Sequence, residues 1–165
     1  MQSDLTFEQI VLEYGAMIRR IASSYEARPH LAQELVQDIY LAIWRALPAF
    51  RGQAALRTFV ARIATNRAVT HVSRALKVPK SVELDENLEA TDATAESLAL
   101  ASERRDALLS AMRLLPLSLR QTAMLAAEGL NPREIAEVLG ISSNAVGIRM
   151  SRARDQLRKR LQGET

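Results

Sequence analysis

The chain predicts an all-α fold, with two small helical domains joined by a flexible acidic linker and a helix-turn-helix in the second. Three observations lead there. Apolar residues recur every three or four positions through several long segments, while strand-like alternation is absent and only 4% of residues are aromatic, so a sheet lacks its usual formers. Charge falls in blocks: eight basic residues and no acid lie between Arg45 and Lys80, then eight acids face two arginines between Ser81 and Asp106. Finally, Asn131 to Leu161 spaces Ala136, Gly140 and Val146 as two helices around a tight turn. The small residue lets the helices cross closely, the glycine makes the turn, and the branched residue seats the second helix on the first.

The first helix is expected after Thr6, with Gln9 as its capping-box partner. Phe7, Ile10, Val11, Tyr14, Met17, Ile18 and Ile21 form its apolar stripe. Pro29 starts a second helix, striped by Leu31, Leu35, Ile39, Ile43 and Leu47 and ended by Pro48. A short loop around Phe50, Arg51 and Gly52 leads to a third helix from about Ala54 to Leu76, carrying Leu56, Phe59, Val60, Ile63 and Ala64. These three close a first domain, 1–76. Pro79 ends it, and the acidic, weakly periodic stretch that follows reads as a linker, 77–96. In the second domain, 97–165, a helix bearing Leu98, Ala101, Leu108, Leu109, Met112 and Leu115 runs to Pro116. Another covers Leu119 to Glu128 and is closed by Gly129. The helix-turn-helix completes the domain.

Composition narrows the function classes. A chain of 165 residues holds one or two domains, and with 48% apolar residues it can fill small cores. No apolar run approaches the roughly 20 residues that cross a bilayer. No basic region precedes an apolar core at the start, so no signal peptide and a cytoplasmic location are expected. The absence of cysteine excludes disulfides and thiolate metal sites. His30 and His71 lie on different helices, both expected as surface or cap residues, and no carboxylates have metal-ligand spacing. No catalytic residue, metal or cofactor is therefore expected. The segregated cationic blocks point to a polyanion instead. In the last helix Arg149, Arg152, Arg154, Arg158, Lys159 and Arg160 face one acid, Asp155, which suits a helix lying in a DNA major groove.

Two segments together resemble the extracytoplasmic-function sigma factors of bacterial RNA polymerase. Glu34 to Arg74, ELVQDIYLAIWRALPAFRGQAALRTFVARIATNRAVTHVSR, looks like the family's second conserved region. Leu114 to Leu157, LLPLSLRQTAMLAAEGLNPREIAEVLGISSNAVGIRMSRARDQL, looks like the fourth. The resemblance implies an alternative sigma factor that binds core RNA polymerase and recognises two promoter elements. It also implies control by an anti-sigma factor or other regulator, without membrane insertion. The competing reading is a helix-turn-helix repressor or activator working without polymerase.

The resemblance assigns roles by position. Glu34, Leu35, Gln37, Asp38 and Trp44 would dock on the polymerase, although Leu31 and Gln33 stand where the family often has acids. Phe50, Arg51, Arg57, Phe59, Arg62, Asn66 and Arg67 would handle the downstream element and melting. Aromatic faces hold unstacked bases, the asparagine amide reads a base edge, and arginines meet phosphates. Phe59 replaces the family's usual tryptophan, which implies weaker melting. In the last helix Ser143, Asn144, Gly147, Ile148, Arg149, Ser151, Arg152 and Arg154 would face the upstream element, with Ser142 and Ser143 as capping residues. Gly147 stands where Lys or Arg is common and Ile148 where Ser is common, so an altered upstream preference is expected. The acidic linker is expected to stretch when both elements are bound. In the free protein it is expected to fold on the basic third helix and suppress DNA binding.

Overall fold

The computed structural model describes residues 5–77 and 96–163. Seven α-helices and one 3₁₀ turn make up the fold, with no strand among the described residues. Helix α1 (Phe7–Tyr25) starts at Thr6, whose side chain accepts from the Gln9 amide while the Gln9 side chain accepts from the Thr6 amide. This reciprocal capping box satisfies two donors that a helix start leaves orphaned. Helix α2 (Pro29–Ala46) begins with proline at its first position, where the missing N–H costs nothing, and runs into a 3₁₀ turn at Leu47–Ala49. Helix α3 (Leu56–Lys77) begins two residues later than the apolar pattern suggests.

The three helices enclose Ile10, Met17, Ile18, Ile21, Leu35, Ile39, Ile43, Val60, Ala61, Ala64 and Ala68. These are the residues that helical spacing selects. Gly15 sits where α1 and α2 meet: a Cβ there would lie 3.0 Å from the Tyr40 hydroxyl oxygen.

The second half contains α4 (Glu96–Arg113), α5 (Leu117–Ala127), α6 (Pro132–Leu139) and α7 (Ser143–Leu161). Asn131 caps α6 in a second capping box with Glu134. Gly140 ends α6 at φ +67°, a left-handed turn that glycine makes without steric cost. Ser142 starts α7 by accepting from the Ala145 amide, whereas Ser143 is already helical and does not cap. Val146 is fully buried against α6, and Ala153 is buried in a smaller cluster with Met112, Leu115, Leu119 and Ala123.

One expectation is corrected. The stripe predicted along α4 is buried only at and just past its C-terminal end, at Met112 and Leu115, while Ala101 and Leu108 stay exposed because no helix among the described residues covers them. The two helical domains pack on each other. Met124, Leu125, Leu130, Ile135, Val138 and Val146 belong to the same apolar cluster as the core of α1–α3. The acidic linker, with the folding role expected of it, lies outside the described residues.

Candidate nucleic-acid interface

Helix α7 advances about 100° per residue, so residues three, four and seven apart share a face. Ser143, Asn144, Gly147, Ile148, Ser151, Arg152 and Arg154 are all exposed; Asn144, Gly147, Ile148, Ser151 and Arg152 turn away from the buried Val146 and Ala153, while Ser143 and Arg154 lie on one flank. Burial of one side therefore fixes the other toward solvent. Arg149 sits half-buried on the flank, away from this face. Nothing lies within 4 Å of where a Cβ at Gly147 would be, so a longer side chain fits there.

The loop and third helix give a second surface. The Phe50 ring packs on Phe59, with centroids 4.5 Å apart and planes at 37°. Both are half-buried and form a small aromatic platform at the start of α3. Arg51 shapes the loop: its backbone N–H donates to Gln53 Oε1 at 2.8 Å, and its Nη1 donates to the Pro48 carbonyl at 2.6 Å. Asn66 is exposed. Arg67, assigned to DNA from sequence, instead grips Asp38 through two hydrogen bonds of 2.8 and 3.0 Å. Asp38 was assigned to the polymerase, so the pair links two surfaces expected to be separate.

On α2, Glu34 and Gln37 are exposed and Trp44 is 59% exposed, with exposed Leu41 about one helical turn before it. An exposed tryptophan near a leucine is the kind of apolar anchor that partner proteins bury. Leu35 is corrected: it is buried with Ile39 and Ile43 and serves the core. Gln37 lines a groove of about 760 Å³ with Arg19, Gln33, Tyr40 and, from α4, Leu109 and Arg113.

The two halves also meet through charged contacts that spacing along the chain cannot reveal. Glu128, at the end of α5 and 8% exposed, accepts from Arg20 Nε at 2.6 Å and Nη2 at 2.7 Å. This pairing raises the Arg20 pKa above its ordinary value, against the effect of burial. Arg57 Nη2 donates to the Glu128 carbonyl at 2.8 Å, and Arg62 Nη2 to the Glu137 carbonyl at 3.1 Å, with the Glu137 carboxylate 3.7 Å away. In the reverse direction Arg113 donates to the Ser23 carbonyl at 2.8 Å, and the Arg120 guanidinium lies 5.4 Å from the Tyr25 ring centroid.

Glu26, also buried, holds Arg28 and His71; the His71 Nε2 contact is 2.8 Å. Burial pushes the Glu26 carboxyl up, but hydrogen bonds from Arg28 and His71 outweigh it and hold the pKa at about 2. His71 is thus a tie between α1 and α3 rather than a surface residue. Among the described residues no three His, Asp or Glu side chains group as metal ligands, and no helix is long and apolar enough to cross a membrane.

Comparison with known proteins bears on these surfaces. The family model of sigma-70 region 2 matches residues 10–77, and that of sigma-70 region 4 matches residues 105–157. The chain is 29% identical to the ECF RNA polymerase sigma-E factor of Escherichia coli K12, over 94% of its own length and 86% of that protein's. It is 30% identical, over the same shares, to the RNA polymerase sigma-H factor of Pseudomonas aeruginosa PAO1. It is similar in structure to CnrH, solved in complex with the cytosolic domain of CnrY: TM-score 0.69, 26% identity, covering 96% of this chain and 89% of that one. It also shares the fold of the sigma factor RpoE, solved with the anti-sigma factor NepR from Bartonella quintana: TM-score 0.72, 20% identity, covering 96% and 98%.

Proposed function

This chain belongs to the extracytoplasmic-function sigma factors of bacterial RNA polymerase, and from that membership we propose a division of labour in which α2 docks on the polymerase, α3 with Phe50 handles the downstream promoter element, and α7 reads the upstream one. As a family member it is an alternative sigma factor that binds core polymerase and directs initiation at specific promoters. The proposed functional units are 1–76 for polymerase binding and melting, 77–96 as connector, and 97–165 for upstream recognition.

The observation that carries the reading is the α7 face. Asn144, Gly147, Ile148, Ser151 and Arg152 form an exposed side, polar or small apart from Ile148, turned away from a side that burial has fixed, with Ser143 and Arg154 exposed on its flank. Such a face suits a major groove, where bidentate side chains read base edges at about 1–3 kcal/mol each. Asn144, Ser151 and Arg152 are placed to read bases, and Arg154 to hold a phosphate. Gly147 and Ile148 alter what the centre of the face reads. Phe50 and Phe59 offer a stacking surface, Arg51 is exposed next to Phe50 in the loop, and Asn66 is exposed about two turns further along α3. Glu34, Gln37 and Trp44 supply the polymerase contact.

An anti-sigma factor or comparable regulator is the further partner, by analogy with RpoE held by NepR. The protein acts as a regulatory subunit in the cytoplasm, not as an enzyme. A helix-turn-helix regulator working without polymerase is not favoured, because the first half matches a sigma region rather than a sensor module.

Run-off transcription with purified core polymerase on a promoter library tests the reading. The expected result is transcripts from a restricted promoter set with a two-part consensus. Trp44→Ala should weaken assembly with polymerase, and Arg152→Ala should relax the upstream half of the consensus. Absence of any transcript, or binding to a palindrome as a dimer without polymerase, would overturn it.

A further inference from the structure

The family resemblance assigns Arg67 to DNA and Asp38 to polymerase, yet the fold joins them. Arg67 Nε donates to Asp38 Oδ2 at 2.8 Å and Nη2 to Oδ1 at 3.0 Å, a two-pronged grip from α3 to α2. A guanidinium held at two atoms is fixed in direction, so Arg67 presents its charge beside α2. Asp38 lies on the side of α2 that carries Glu34, Gln37, Leu41 and Trp44, because residues three and four apart share a face. Those four are exposed, and the Asp38 side chain keeps 40% of its surface open. Ile39 and Ile43 are buried on the opposite side and hold this face outward.

We propose that Arg67 is a positioning residue of the polymerase-docking face: its guanidinium holds the Asp38 carboxylate in one orientation, ready to accept from a cationic group of the polymerase, and it makes no DNA contact of its own. This rests on the placement of α2 against polymerase proposed above. Carboxylate chemistry supplies the reason. The two oxygens of an ionised carboxylate offer about four acceptor sites between them. Arg67 fills only part of that capacity, and the open surface of Asp38 leaves room for a donor arriving from outside. A free aspartate turns about two side-chain bonds, and docking has to stop that motion at an entropic cost. Arg67 has already stopped it. A lysine ammonium does this less well, because it lacks the planar fork that meets a carboxylate at two points.

The charge of the face sets the chemistry of what it meets. Glu34 stands exposed about one turn before Asp38, and no lysine or arginine lies between Glu34 and Trp44. Two carboxylates one turn apart, flanked by Leu41 and Trp44, fit a surface that offers cationic donors beside apolar area. A phosphate contact by Arg67 would work against this. The guanidinium would exchange one charge-assisted, two-pronged partner for another, and Asp38 would lose the group that orients it. The exchange gains little for DNA and removes order from the docking face.

The test measures affinity of the full-length protein for immobilised core polymerase by biolayer interferometry. Arg67→Ala should bind about tenfold more weakly than wild type, and Arg67→Lys should fall between the two. In an Asp38→Ala background, Arg67→Ala should cost nothing further, because it acts through that carboxylate. The exchanged pair, Asp38→Arg with Arg67→Asp, should return the melting temperature toward wild type but not the polymerase affinity. That result separates positioning from a mere brace between α2 and α3. At concentrations that saturate polymerase, promoter binding by the Arg67→Ala holoenzyme should keep the wild-type dependence on salt, whereas a lost phosphate contact would reduce the slope by about one. Recovered affinity in the exchanged pair, additive losses in the double variant, or a reduced salt slope would overturn the inference. Wild-type binding by both Asp38→Ala and Trp44→Ala would remove the α2 docking face itself, and the inference with it. Weakened binding by those two, with wild-type binding by Arg67→Ala, would remove the inference alone.

Discussion

Tyr25 carries a hydroxyl that the fold buries without a hydrogen-bond partner among the described residues. Burial pushes its pKa well above the ordinary phenol value, with Arg120 pulling the other way. A buried unpaired polar atom costs about 1–3 kcal/mol, while the ring still packs in the core and lies under Arg120. Tyr25→Phe should therefore stabilise the protein by about 1 kcal/mol, raising Tm by a few degrees; a lower Tm would show that the hydroxyl is satisfied in solution. Glu26 makes the opposite case. Its carboxyl is held at about 2, against an ordinary 4.5. A depressed carboxylate contributes stability that is full above about pH 4.5 and is lost as pH falls toward 2. Arg28 is half-exposed, so solvent screening reduces the contribution, to roughly 2 kcal/mol. Glu26→Gln should be less stable than wild type at pH 7, and the gap should close between pH 4.5 and 2 in thermal melts. A constant gap would mean the ionised carboxylate is not what ties Arg28 and His71. Neither residue was legible as a site in the sequence: Arg28 is local to Glu26, but its other partner, His71, lies 45 positions away and nothing local marks that pair.

Among the elements, α7 was the most legible and α4 the least. The α7 boundaries, its serine cap and its buried Val146 all depend on residues within a few turns, so spacing reveals them. Gly147 is the exception within it, an exposed glycine in mid-helix with open space around it. Gly147→Ala should stabilise the protein by about 0.5–1 kcal/mol, since alanine loses less backbone entropy in a helix. Gly147→Lys should keep much of that gain and shift the upstream consensus in run-off selection; an unchanged consensus would mean this position does not face bases. Helix α4 shows where periodicity misleads. Its apolar stripe has the right spacing, but residues 99–108 are exposed along their whole length. Spacing says which residues could share a face, not whether anything in the chain arrives to cover it.

At the scale of the whole molecule, the apolar cluster runs from α1–α3 through Met124, Leu125 and Leu130 into Ile135, Val138 and Val146. A core shared in this way couples the two halves. Differential scanning calorimetry of the free protein should show one cooperative transition, and Glu128→Ala should split or broaden it. Two well-separated transitions in wild type would mean that each half melts by itself and that the packing between them is weak. The surfaces assigned to DNA also differ at this scale. The α7 face is exposed, whereas Arg57 and Arg62 of α3 donate to the Glu128 and Glu137 carbonyls.

The order of helices, their caps, the helix-turn-helix and the two conserved regions follow from the sequence alone, because each is set by residues within one or two helical turns of each other. The tertiary structure decided which of the candidate residues are free. It put Leu35 in the core, tied Arg67 to Asp38 across 29 positions, and bonded Arg20 to Glu128 across 108. Side-chain bonds between residues that far apart leave no periodic trace in a single sequence. Packing of α2 on α3 and of α1 on α5 brings these pairs together, and only the folded chain shows which arginines already hold a partner within it.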